Sequence, residues 1–243
     1  MEEKSRANED EAVRSMLETS YCPELIQEAR QRQDAILVER FRGRRYAIAD
    51  LGCGTGYHGS IFAPGCQLYH GFEIAPEIAE IARGRWRQEG LENTELFVGD
   101  IADAPARTAF YDLVFCLYFT PGNLREPSTD LTVYTDEVLD RNPKFIEVMS
   151  LFHRALKSGG RLFLTVYKDV PAAEAAQIDF YRHNAQQIVS PPGARFVATD
   201  SGFWSVRWTE RSMLSNLVAC GAREGDVTFH DLNEIAWLVE VRK

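Results

Sequence analysis

The chain has 243 residues, 45% of them hydrophobic, which is enough for one sizeable α/β domain with a small appendage. A formal net charge of −9 and a pI near 5.2 favour solubility and speak against a dedicated nucleic-acid binder, although Arg40, Arg42, Arg44 and Arg45 form a local basic cluster. Five cysteines without C-x-x-C spacing suggest neither a disulfide framework nor a zinc site, and no apolar run approaches the roughly 18 residues of a membrane span.

The polar, highly charged start does not read as a signal peptide, so a cytoplasmic protein is expected, with no metal and no membrane partner. Pro23-Glu24 opens a helix with Leu25, Ala29, Ile36 and Leu37 on roughly one face up to Phe41, and Gly43 stops it. The arginine cluster then reads as cations at a helix C-terminus. Tyr46 to Leu51 is a buried strand that runs into Gly52, Gly54 and Gly56, with Asp50 at its end. Glycines so spaced let the backbone bend sharply and approach a ligand with no Cβ in the way.

Leu68 to Glu73 is the second strand and ends in an acid. Ala75-Pro76-Glu77 starts a helix whose Ile78, Ile81, Ala82 and Trp86 face the sheet, and Gly90 ends it. Leu96 to Asp100 is the third strand, and Tyr111 to Leu117 the fourth, apolar enough for burial on both faces. The loop Tyr118-Phe119-Thr120-Pro121-Gly122-Asn123 follows, then an irregular excursion over 124–141. Asn142-Pro143 caps a helix carrying Phe145, Met149, Phe152 and Leu156, which Ser158-Gly159-Gly160 terminates before the fifth strand. A helix from Ala172 to about Val189 leads to a hairpin, Phe196 to Thr199 and Phe203 to Trp208, turned at Asp200-Ser201-Gly202. Thr209-Glu210 opens a last helix to about Cys220, and Asp226 to His230 pairs with Ile235 to Val241. The expected fold is a doubly wound, seven-stranded, mostly parallel sheet with a C-terminal antiparallel hairpin.

Asp50, Glu73 and Asp100 close three successive strands, on the one edge where open parallel sheets bind ligands. Gly54 to Gly59 also matches G-x-G-x-x-G with Glu73 about 20 residues on, the pattern of a dinucleotide site. Charge argues otherwise: a pyrophosphate on this loop would face the Asp50 carboxylate, whereas an ammonium would be welcome there.

The run Asp50-Leu51-Gly52-Cys53-Gly54-Thr55-Gly56 resembles the first motif of class I S-adenosylmethionine (SAM)-dependent methyltransferases, and Leu156 to Leu164 resembles the junction before their fifth strand. The resemblance covers residues 46–168 by motif and the rest by layout. It implies SAM as cofactor, S-adenosylhomocysteine (SAH) as product, and Asp50, Gly52, Cys53, Gly54, Gly56, Glu73, Ile74, Asp100, Ile101, Cys116 and Tyr21 around the cofactor. Glu73 would grip the ribose hydroxyls, and Ile101 the adenine ring. Such an acid at a strand end is expected to add little to stability without cofactor.

The loop after the fourth strand lacks the Asn/Asp-Pro-Pro-aromatic signature of the family's amino-methylating nucleic-acid enzymes and the aspartate of its metal-dependent ones. A small-molecule acceptor is therefore expected, touched by Tyr118, Thr120, Asn123, Tyr167 and Trp204, with His58, His183 and Tyr118 as possible bases. A protein or RNA methyltransferase, an NAD-binding oxidoreductase and a SAM-binding protein without transfer activity remain alternatives. The implied layout is one domain: a helical cap (1–45), a SAM-binding core (46–168), an acceptor lid (169–209), and a last helix with closing strands (210–243). Oligomeric state is unknown from the sequence.

Overall fold

Alternation along the buried strands divides the core in two. In this computed structural model, which describes residues 22–105, 107–128 and 130–243, the parallel strands are β1 (Ala47–Leu51), β2 (Leu68–Glu73), β3 (Thr94–Val98), β4 (Tyr111–Cys116) and β5 (Leu156–Lys168). The expected Tyr21 contact lies outside the described residues. Ala47, Ala49 and Leu51 of β1 face one apolar cluster and Ile48 the other; Val114 and Cys116 of β4 likewise oppose Leu113 and Phe115. Side chains of successive strand residues point to opposite faces, so each strand feeds both layers.

Helices α1 (Glu24–Phe41), α2 (Tyr57–Phe62), α3 (Pro76–Gln88) and α6 (Pro171–His183) cover one face. Helix α5 (Pro143–Ala155) and helix α7 (Glu210–Ala219) cover the other, and the short α4 (Asp136–Asp140) lies against α7. The chain closes with β8 (Val227–Asn233) and β9 (Ala236–Arg242), and β9 runs antiparallel between β5 and β8. The main sheet therefore reads β3-β2-β1-β4-β5-β9-β8, as expected from the sequence. A ribbon of β6 (Phe196–Ala198) and β7 (Trp204–Trp208) extends from the carboxyl end of β5, bringing the strands to nine.

Three expectations shift. Helix α6 ends at His183, where Asn184 folds its amide back on the Phe180 carbonyl (2.7 Å) and Ala185 turns left-handed (φ 57°). Helix α5 ends at Ala155 rather than at the glycine pair, and residues 156–160 already run as a bulged start of β5. The buried stripe of α1 is Ile26, Ala29, Gln33, Leu37 and Phe41, one step away from the expected face at its start and with a glutamine in its middle. Among the described residues, no helix is long and apolar enough to cross a membrane.

Candidate cofactor and acceptor site

Strand β1 is buried throughout and delivers its chain straight into a loop with no room for side chains. Gly52, Gly54 and Gly56 all take left-handed backbone (φ 71°, 55° and 78°), a region costly for other residues. The Gly52 and Cys53 amides both donate to the Phe72 carbonyl (2.8 and 3.0 Å), which straps the loop onto β2. From beneath, the Trp86 indole of α3 donates to the Gly56 carbonyl at 2.8 Å. A Cβ on Gly52 would stand 2.6 Å from Thr120, and one on Gly56 2.6 Å from Trp86, yet nothing lies within 4 Å of that position on Gly54. Gly54 thus leaves an open cradle where a ligand can meet the backbone.

The three strand-end acids are not equivalent. Asp50 is 1% exposed and accepts from the Tyr69 hydroxyl at 2.6 Å; burial raises its carboxyl above the ordinary range, opposed by His58 and Tyr69. Its charge acts on the loop from below rather than by open contact. Glu73 sits at the surface of the cradle and accepts from the amides of Gly54 (2.9 Å) and Ala75 (3.0 Å). Burial raises its carboxyl too, against the pull of those amides. This corrects the expectation that Glu73 is idle without cofactor: it ties the glycine loop to the end of β2. Asp100 accepts from the Ala102 amide (2.9 Å) and pairs with Lys144 of α5 at 3.2 Å, a partner the sequence did not disclose. Ile74 is 55% exposed beside this edge, and Ile101 is buried in the cluster shared with α5.

Further corrections concern Cys116, expected beside the cofactor, and then the acceptor side. The Cys116 thiol is wholly buried in the core shared with α5, because it alternates onto the inner face of β4. Tyr167 stacks face to face on Phe119 (3.8 Å) and is buried. Trp204 packs between Phe196 (4.0 Å) and Tyr134 (4.4 Å), and Trp208 against Phe145 (5.1 Å), so both tryptophans cover the sheet. The ribbon does meet the loop after β4: a Cβ on Gly122 would touch the Val206 backbone, and Arg125 donates to the Gly202 carbonyl at 3.0 Å. His183 stands half-exposed at the end of α6, paired with Asp179 of the same helix. Thr120 lies on the glycine loop, and Asn123 is exposed nearby.

The structure brings His58 and Tyr118 together through a residue the sequence reading passed over. Asp34 of α1 accepts from the Tyr118 hydroxyl (2.6 Å) on one oxygen and meets His58 Nε2 (3.0 Å) on the other. Burial would raise the Asp34 carboxyl, but hydrogen bonds from His58, Tyr118 and Gln33 outweigh it and hold it below the ordinary range. Tyr118 is pushed up by burial and by Asp34, and so stays a phenol. Gln33, fully buried, donates to Asp34 (2.8 Å) and accepts from the Tyr118 amide (3.3 Å) and the Thr165 hydroxyl. The Arg30 guanidinium stacks 4.8 Å over the Tyr118 ring, and its buried Nε has no hydrogen-bond partner among the described residues. The available signal was a glutamine at i+4 from Ala29 and i−4 from Leu37, a polar residue on an apolar stripe.

These features match what comparison with known proteins returns. No curated protein matches the sequence. The methyltransferase-domain family profile matches residues 43–200. Among solved structures, a SAM-dependent methyltransferase from Methanosarcina mazei is 15% identical (TM-score 0.57; 85% of this chain, 96% of that one). Magnesium protoporphyrin IX methyltransferase from Synechocystis, solved with SAH, is 16% identical (TM-score 0.56; 96% and 94%). A SAM-bound amino pentose methyltransferase from Micromonospora echinaspora is 18% identical (TM-score 0.53; 91% and 92%). At such identities the structures speak for the fold and the profile for the family: the chain belongs to the methyltransferase-domain family and has the class I fold that its glycine loop and strand-end acids led the sequence to expect.

Proposed function

We propose that the protein transfers a methyl group from SAM to an N, O or C nucleophile of a small-molecule metabolite and releases SAH. The observation that carries this reading is the open cradle at Gly54, between a carboxylate (Glu73) and a polar cluster (Asp34, His58, Tyr118). When bound, SAM supplies a methyl already activated on a positively charged sulfur. Glu73 keeps lone pairs beyond those given to the loop amides, and these suit a pair of ribose hydroxyls. Ile74 and Ile101 suit an adenine face, and the orphaned Arg30 Nε suits the cofactor's carboxylate.

The acceptor is assigned to the side of the site that carries Tyr118, Thr120 and Asn123, on the loop after β4. The ionised Asp34 lies at hydrogen-bond distance from His58 Nε2, and His58 is assigned as the group that receives an acceptor proton where one must leave. Tyr118, held as a phenol, orients rather than deprotonates. A small acceptor is favoured over protein or RNA by the net charge and by α1, which closes the site through Tyr118 and Gln33. Neighbours of this fold act on a magnesium porphyrin and on an amino pentose. The layout of cap, core, lid and closing strands is retained in this reading. The free cysteines of the described residues suit a reducing, cytoplasmic setting.

Calorimetry with SAH and with NAD tests the cofactor, and transfer from methyl-labelled SAM into a metabolite extract tests the acceptor. SAH binding with label in the small-molecule fraction is expected. NAD binding without SAH binding overturns the cofactor assignment, and label confined to protein or RNA overturns the acceptor class.

A further inference from the structure

The opposite edge of the sheet carries a second concave site. Tyr46 leads into β1 there, six residues before Gly52 of the glycine loop, so the two edges stand about 20 Å apart at the rise of a strand. A cleft of about 460 Å³ is lined by Arg40, Phe41 and Arg44 at the end of α1, Asp112 at the start of β4, and Gly160 and Arg161 at the start of β5. Its floor is organised by one buried acid. Glu240 of β9, 1% exposed, accepts both terminal nitrogens of Arg40 (3.0 and 3.1 Å) and one of Arg161 (2.9 Å). His230 (3.0 Å) and Arg242 (3.5 Å) complete its surroundings.

One carboxylate therefore orients the guanidinium groups of Arg40 and Arg161, with the exposed Arg242 at its margin, and charge is left over. Lys157 neutralises Asp112 (2.8 Å), and the exposed Glu39 offsets one arginine. Counting Arg40, Arg44 and Arg161 of the lining with Lys157 and Arg242 behind it, against Glu39, Asp112 and Glu240, the cations in and around the cleft exceed the carboxylates by two. That excess stands out in a chain of net charge −9. Planar guanidinium forks pair best with oxyanions that accept two bonds at once, and a phosphate group does so with more than one negative charge. The volume is that of a small-molecule site rather than of a lone ion.

We propose that this cleft binds a small phosphorylated molecule, at a site separate from the cofactor edge, with Arg44 and Arg161 as its phosphate ligands and Arg40 held behind them by Glu240. A concave site on an acidic molecule suits a small anion better than a polymer, because the remaining surface repels a polyanion.

The test is a titration of the full chain with inorganic pyrophosphate at constant ionic strength, read by calorimetry and by melting temperature. Saturable binding is expected, weakened at least tenfold in Arg44→Gln, a surface change that leaves the Glu240 cluster intact. Arg161→Gln should weaken it as much. SAH affinity should change less than twofold in Arg44→Gln and with pyrophosphate present, so this result is read independently of the methyltransferase assignment. Absence of saturable binding, equal binding by Arg44→Gln, or displacement of pyrophosphate by SAH would overturn the proposal. Binding of single-stranded RNA without binding of pyrophosphate would overturn it in favour of a polymer-docking surface.

Discussion

A single carboxylate shows how the site is built. Glu73 satisfies two amides whose other choice is burial without a partner, and such amides cost about 1–3 kcal/mol each to leave unmade. Glu73→Ala is therefore expected to lower the melting temperature of the cofactor-free protein by several degrees, at roughly 2–4 °C per kcal/mol for a chain of this size. It should also weaken SAH binding by about 2 kcal/mol or more, on the scale of hydrogen bonds to a charged group. A mutant with unchanged melting and unchanged affinity would remove Glu73 from both roles. The neighbouring glycines separate fold from ligand. Gly54→Ala meets only left-handed strain of about 1–2 kcal/mol, since the position is open, but its methyl fills the cradle. It should fold and lose at least tenfold in SAH affinity, whereas Gly52→Ala collides with Thr120 and should lose stability first. Calorimetry beside a melting curve on both variants decides, and retained SAH affinity in Gly54→Ala would close the cradle as a site.

Among the elements, β1, β2 and β4 were legible because a parallel strand buried on both faces must be an apolar run, whereas the half-exposed β3 lies two residues earlier than the sequence suggested and β5 starts before its glycine pair. The same double burial hid the tryptophans: β7 is buried at every position, so alternation could not tell a pocket wall from a sheet cover. Helix α1 was legible as a helix and not as part of the site. Its decisive residues are polar, and Gln33 meets Tyr118 from 85 residues away, a pairing no local pattern encodes. Two variants contrast these elements. Tyr118→Phe removes the hydroxyl that Asp34 accepts and should cut methyl transfer at least tenfold, about 1.4 kcal/mol of barrier, with SAH affinity within a few-fold. Trp204→Ala empties a buried position and should cost about 3–5 kcal/mol of stability, with activity per folded molecule retained. Turnover and unfolding measured on the same preparations separate the two, and the reverse pattern would exchange their roles.

For the molecule as a whole, its dependence on pH is set by carboxylates that pull in opposite directions. Burial raises Asp50 and Glu73, so the folded chain holds their protons more tightly than the unfolded one, and their contribution falls as pH rises through the carboxylate range. Glu240 acts the other way: burial would raise it, but Arg40, His230 and Arg161 bring it down to about 2 from an ordinary 4.5. Its stabilising share is fully present above pH 4.5 and is lost as pH falls toward 2. Its partners Arg40, Arg161 and Arg242 are partly exposed, so solvent screens the pairing and its share is roughly 2 kcal/mol, less than the full shift. The acid also fastens α1 to β9 through Arg40, beside the bonds from Arg32 to the Leu232 carbonyl and from Asn233 to the Leu25 carbonyl (both 2.7 Å). Glu240→Gln keeps the shape and removes the charge. Urea unfolding should place it a few kcal/mol below the native chain at pH 6, with the gap narrowing steadily from pH 5 toward pH 2 as the native carboxylate takes up its proton. A gap independent of pH would mean that Glu240 acts by packing alone, and that the arginines around it are held in place by something other than its charge.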